Sequence, residues 1–134
     1  MSSFPWSIAG GGMPKKILII DDEIDVMLTV VYRLKARGYE IVTAEDGKSG
    51  VETCRTQKPD LVILDYHLPD MSAKEVAALL REDPTLSAIP VVLMTASVQS
   101  LGEKAGECRA VDSLPKPFDS EALYAVIDKH IGKA

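Results

Sequence analysis

Five polar residues of this chain each stand where a short apolar run ends. Lys16–Ile20 leads into Asp21 and Asp22, Leu61–Leu64 into Asp65, Pro90–Met94 into Thr95, and Val111–Pro115 into Lys116. Carboxylates gathered a few Å apart need compensation: two of them about 4 Å apart repel by roughly 4 kcal/mol at an effective dielectric of 20. Lys116 supplies one positive charge, and a divalent metal would supply the rest. An all-oxygen set with only two or three carboxylates suits Mg²⁺, which keeps several waters and commonly bridges to phosphate. Carboxylate, Mg²⁺, ammonium and hydroxyl together make a phosphoryl-transfer site. Metal and lysine neutralise charge on the transferring group, the hydroxyl hydrogen-bonds one of its oxygens, and one aspartate can be the nucleophile.

Such a site needs a scaffold that brings four run ends together. Short, largely β-branched apolar runs separated by helical stretches read as buried parallel strands. In an open α/β sheet, ligands bind outside the carboxyl ends of the strands, so the five residues are expected in one crevice. Between the runs, Ile24, Met27, Leu28, Val31 and Leu34 follow helical spacing, and Gly38 marks a stop. Glu40–Ala44 adds a strand, and a helix over 47–57 is closed by Pro59. Ser72 with Glu75 forms a capping box for a helix to about Glu82. Asp119 or Ser120 caps a last helix whose Leu123, Val126, Ile127 and Ile131 make one apolar stripe. The segment 99–109, with Gly102, Gly106 and a thin apolar pattern, is expected to form a short or mobile helix. The alternation fits a doubly wound α/β fold: a five-stranded parallel sheet in flavodoxin-like order 2-1-3-4-5 with helices on both faces. A flavin site is disfavoured, because the loop after the first strand is acidic and lacks Gly, Ser or Thr donors for a phosphate.

With 134 residues, 46% hydrophobic composition and a net charge of −5, the chain suits one packed domain and not a nucleic-acid-binding surface. No apolar run approaches the roughly 18 residues of a membrane span. Cys54 and Cys108 lack metal-ligand spacing and read as reduced, partly buried thiols of a cytoplasmic protein. Residues 1–13 stand outside the pattern. The Gly10–Gly12 triplet before Met13 reads as a flexible joint, and the extension as an expression remnant or a natural tail docking through Phe4 and Trp6. The domain is taken as 14–134.

Four blocks, Ile19–Glu23, Leu64–Pro69, Met94–Ala96 and Lys116–Phe118, occur in an order that resembles the receiver domain of two-component response regulators. The resemblance runs from about Lys15 to Ile131. It implies that Asp65 is the phospho-acceptor, and that Asp21 and Asp22 hold Mg²⁺ together with Asp65 and the backbone carbonyl of His67. Thr95 and Lys116 would contact the phosphoryl oxygens. It further implies a module that promotes its own phosphorylation and dephosphorylation without being an enzyme in the ordinary sense. Its partners would be a histidine kinase or histidine phosphotransfer protein and an unidentified downstream protein, with no direct nucleic-acid or membrane contact.

Plainer readings exist for single residues. Asp22 and Glu23 could simply favour a helix start, and His130 a helix end; Asp65 could be a turn residue, Thr95 a cap, Lys116 and His67 solvated loop residues. Two departures from the receiver pattern stand out. Ser113 occupies the position, three before Lys116, where most receivers carry an aromatic ring that moves inward on activation. Ala73 replaces a common glycine and adopts positive φ less freely. Ser113 is the one hint of an alternative, a phosphorylation-independent protein-interaction domain of receiver architecture.

Overall fold

The structure, a computed structural model, describes residues 14–96, 99 and 101–132. The expected N-terminal extension with Phe4 and Trp6 lies outside the described residues, as does Ser97. Five strands, β1 (Lys16–Ile20), β2 (Glu40–Ala44), β3 (Leu61–Asp65), β4 (Val91–Thr95) and β5 (Asp112–Pro115), form one parallel sheet in the order β2-β1-β3-β4-β5. Five helices connect and close it: α1 (Ile24–Ala36), α2 (Gly47–Gln57), α3 (Ala73–Glu82), α4 (Leu101–Glu107) and α5 (Ser120–Ile131).

Strand periodicity divides the core into two layers. Ile17 and Ile19 point to one face, where Met27, Val30 and Leu34 of α1 and Leu123 and Ile127 of α5 cover them. Leu18 and Ile20 point to the other, against Val51 and Cys54 of α2 and Val76, Ala77 and Leu80 of α3. Strands buried on both faces need apolar residues at every position, which is why β3 and β4 are buried throughout. The edges differ from the expected buried run: β5 begins only at Asp112, is half-covered, and leaves Val111 outside the strand and 46% exposed.

Local signals act as expected in most places. Ser72 and Glu75 cap α3 reciprocally, Asp119 accepts from the Ala122 N–H at the start of α5, and Gly38 takes φ 92° after α1. Ala73 simply begins α3, and the described non-glycine residues with positive φ are Lys58 and Arg109. The buried face of α1 is a correction. Met27, Val30 and Leu34 face the sheet, while Ile24 and Leu28, expected in the stripe, are 48% and 59% exposed. Because α1 carries apolar side chains on two sides, periodicity alone admits either, and packing on β1 and β3 decides. Ile24, Leu28 and Tyr32 are left as an outward row at i, i+4, i+8. Cys54 and Cys108 are fully buried rather than partly so, and burial pushes both thiols up to about 11, the mark of inert core residues.

Candidate phosphoryl-transfer site

Register aligns the site. Ile20 pairs with Leu64, so Asp21 and Asp65 follow one another across adjacent strand ends. Asp65 itself pairs with Met94, and Thr95 with Pro115, the residue before Lys116. Asp21 (0% exposed), Asp65 (3%) and Thr95 (0%) are the buried polar residues among those described, and each ends or directly follows a strand.

Backbone hydrogen bonds hold these ends. The Asp21 N–H donates to Ala44 O at 3.1 Å, and Asp21 Oδ1 accepts from the Glu23 N–H at 2.8 Å. Asp65 Oδ1 accepts a long bond, 3.4 Å, from the His67 N–H. The loop that follows Asp65 is tied to α2 by Asp70, whose two carboxylate oxygens accept from Gly47 N at 2.7 Å and Lys48 N at 2.9 Å. Those N–H groups belong to the unpaired first turn of α2, and they hold the Asp70 carboxyl below the usual range.

The Lys116 ammonium lies among three carboxylates: Glu23 Oε1 at 2.9 Å, Asp21 Oδ2 at 3.2 Å and Asp65 Oδ2 at 3.4 Å. Burial would pull its proton affinity down, but the hydrogen bond to Glu23 and the charges of Asp65 and Asp21 outweigh burial and hold it above its ordinary value. Asp65 feels the opposite balance. Burial and the neighbouring Asp21 charge push its carboxyl up to about 7 against the pull of Lys116. One lysine therefore leaves negative charge in excess.

Ligand oxygens of Asp21, Asp22 and Asp65 lie within 4.8 Å of one another, close enough to share one cation. Asp22 is exposed and opens on a crevice of about 310 Å³ bounded by Asp65, His67, Pro69, Ala96 and Lys116. All-oxygen donors, more carboxylates than the one ammonium neutralises, and an open side that admits water fit a hard divalent ion.

The structure thus brings Asp21, Asp22, Asp65 and Lys116 together, with Thr95 on the adjoining strand and His67 exposed at the rim. Two features escaped the sequence. Glu23 reads there as an acidic helix start, yet its side chain makes no cap and reaches Lys116 instead; a third consecutive acidic residue was the available signal. His130 reads there as a terminal charge, yet its Nε2 lies 3.0 Å from Asp112 Oδ2.

Comparison with known proteins gives one consistent picture. The model of the response regulator receiver domain matches residues 17–128. The chain is 35% identical over 114 residues to the alkaline phosphatase synthesis transcriptional regulatory protein PhoP of Bacillus subtilis, and spans 47% of that protein's length, about half. It is 34% identical to protein PilH of Pseudomonas aeruginosa, covering 84% of this chain and 94% of PilH. To the polar-differentiation response regulator DivK of Brucella anthropi it is 31% identical, with 91% and 100% covered. Among solved structures, the chemotaxis response regulator CheY4 of Vibrio cholerae superposes with a TM-score of 0.83 at 25% identity, covering 89% of this chain and all of that one.

Proposed function

This chain belongs to the response regulator receiver domain family and is a phospho-accepting signalling switch, and from that premise we propose that Asp65 is the acceptor. The observation that carries the assignment is the placement of a nearly buried carboxylate between an ammonium and two further aspartates at the mouth of one crevice. A carboxylate Oδ of Asp65 attacks phosphorus of a phosphohistidine, and the O–P bond forms as the N–P bond breaks. The electron pair of the broken bond stays on the ring nitrogen, and the ring, already protonated on its other nitrogen, leaves as neutral imidazole. Residues 14–134 form the receiver unit.

Asp21 and Asp22, with Asp65 and the His67 carbonyl, would hold Mg²⁺. Bound there, it supplies charge neutralisation for the transferring phosphoryl oxygens. Lys116 would donate to a phosphoryl oxygen, as would the Thr95 hydroxyl from the next strand. The site is partly desolvated, which strengthens each of these interactions. The same groups leave the aspartyl phosphate open to water through the crevice, so the module both promotes its phosphorylation and sets the lifetime of the product.

The donor is a histidine kinase or histidine phosphotransfer protein, and the output a changed surface read by a downstream protein. No described helix is long and apolar enough to cross a membrane, and cytoplasmic action is the reading that suits such a donor. Mg²⁺-dependent labelling by acetyl phosphate, followed by intact mass, tests the proposal. Asp65→Asn should abolish labelling; undiminished labelling of that variant would place the acceptor elsewhere.

A further inference from the structure

Glu23 occupies the N-cap position of α1, with φ −87° and ψ 103°, where a side chain ordinarily accepts from the first helical N–H groups. It makes no such cap. Its carboxylate instead takes the shortest of the three contacts to Lys116 Nζ, 2.9 Å against 3.2 Å for Asp21 and 3.4 Å for Asp65. An ammonium has three N–H donors and no more. Asp21, Glu23 and Asp65 therefore use the full complement, and a phosphoryl oxygen can bond Lys116 only by displacing one of them.

The three differ in what displacement costs. The Asp21 side chain is 0% exposed and anchored by the Glu23 N–H, so it cannot swing aside and water cannot take the place of the ammonium. The Asp65 side chain is 5% exposed, and its oxygen becomes part of the acyl phosphate. The Glu23 side chain is 59% exposed, so water replaces the ammonium at once. We propose that Glu23 is a positioning residue that holds the Lys116 ammonium toward the crevice mouth as an internal competitor of the phosphoryl group, and is the partner the phosphoryl group displaces. This rests on Asp65 being the acceptor.

A competitor anion built into the chain weakens binding of any phosphoryl group or its mimic without being a ligand of the metal. Asp25 provides the control: it is acidic, stands in the first turn of the same helix and lines the neighbouring cavity, but has no contact with Lys116.

The test is a beryllofluoride titration at saturating Mg²⁺, followed by amide NMR, with Mg²⁺ affinity measured separately by calorimetry. Glu23→Gln should bind beryllofluoride about two- to fivefold more tightly, the scale of one partly exposed ion pair, while Mg²⁺ affinity changes less. Glu23→Asp, a methylene shorter, should fall between Gln and the parent chain, and Asp25→Asn should stay within error of the parent. If Glu23→Gln binds the mimic no more tightly, or Asp25→Asn gains as much, Glu23 does not compete for Lys116. If the parent chain shows no Mg²⁺-dependent beryllofluoride binding at all, the acceptor assignment fails and this role with it.

Discussion

The backbone N–H of Lys116 donates to the carbonyl oxygen of Thr95 at 2.8 Å. The ammonium and the hydroxyl assigned to the phosphoryl group thus come from strand ends bonded to each other, and their roles separate only at the side chains. Lys116→Ala should retain the fold yet lower acetyl phosphate labelling by tenfold or more, since one charge-assisted contact in a partly desolvated site is worth about 1.5–3 kcal/mol. Thr95→Ala should still label, but with smaller amide shifts on phosphorylation. Equal, complete loss of labelling in both variants would contradict the division.

The metal assignment predicts a different pattern. Asp22→Ala should weaken Mg²⁺ binding and labelling together, because Asp22 is the proposed ligand at the open side of the cluster. The metal-free fold should be as stable as the parent or more so, since one of several like charges is gone. Unchanged Mg²⁺ affinity by calorimetry would remove Asp22 from the ligand set.

Stability should respond to pH through Asp65. Its folded carboxyl is raised to about 7, whereas in the unfolded chain it ionises near the ordinary value of about 4. Between those values the folded state binds the extra proton, so this residue's contribution to stability is present below about pH 4 and is lost as pH rises to 7. Asp65→Asn cannot ionise. Without Mg²⁺, its stability relative to the parent should therefore grow between pH 5 and 7.5, by on the order of 1–2 kcal/mol once solvent screening at the crevice is allowed for. Urea denaturation of both proteins at the two pH values measures this, and a constant difference would mean that Asp65 titrates normally.

Ser113 and α4 set the expected reach of the switch. Ser113 sits half-buried on β5 opposite Leu93, without an aromatic ring to move. No residue of α4 is buried, though Lys104 lies over the Tyr66 ring at 4.9 Å, next to Asp65. Beryllofluoride should shift amide signals strongly around Asp65, Thr95 and Ala96, broaden those of 99–109, and shift α5 less. Ser113→Tyr should extend the response across β5 to α5; identical shift maps would make the missing ring irrelevant.

The two helix glycines of α4 allow a sharper check. A Cβ at Gly102 or Gly106 would meet nothing within 4 Å, whereas at Gly47 it would lie 2.3 Å from Met71 Cγ and 2.9 Å from Val76 Cγ2. Gly102→Ala and Gly106→Ala should each stabilise α4 by up to about 1 kcal/mol and reduce the broadening there. Gly47→Ala should destabilise the protein by about 1–3 kcal/mol through overpacking. Hydrogen exchange and thermal melts distinguish the cases.

Much of this was legible in the residues. Buried parallel strands demand continuous apolar runs, so the polar residue ending each run announced both the sheet and its functional edge. The capping box of Ser72 and Glu75 is equally local. What escaped depended on tertiary choice. Helical spacing in α1 admits two apolar faces, and only contact with the sheet selects Met27, Val30 and Leu34 over Ile24 and Leu28. The reach of Glu23 to Lys116, 93 positions away, and the pairing of His130 with Asp112 need the fold before they can be seen.

The outward row of Ile24, Leu28 and Tyr32 begins one residue after Glu23 yet supplies nothing to the acidic crevice. The phosphoryl chemistry and this apolar row therefore lie on separate parts of the molecule, strand ends for one and a helix exterior for the other. Substitutions can accumulate along the row while every aspartate keeps its place.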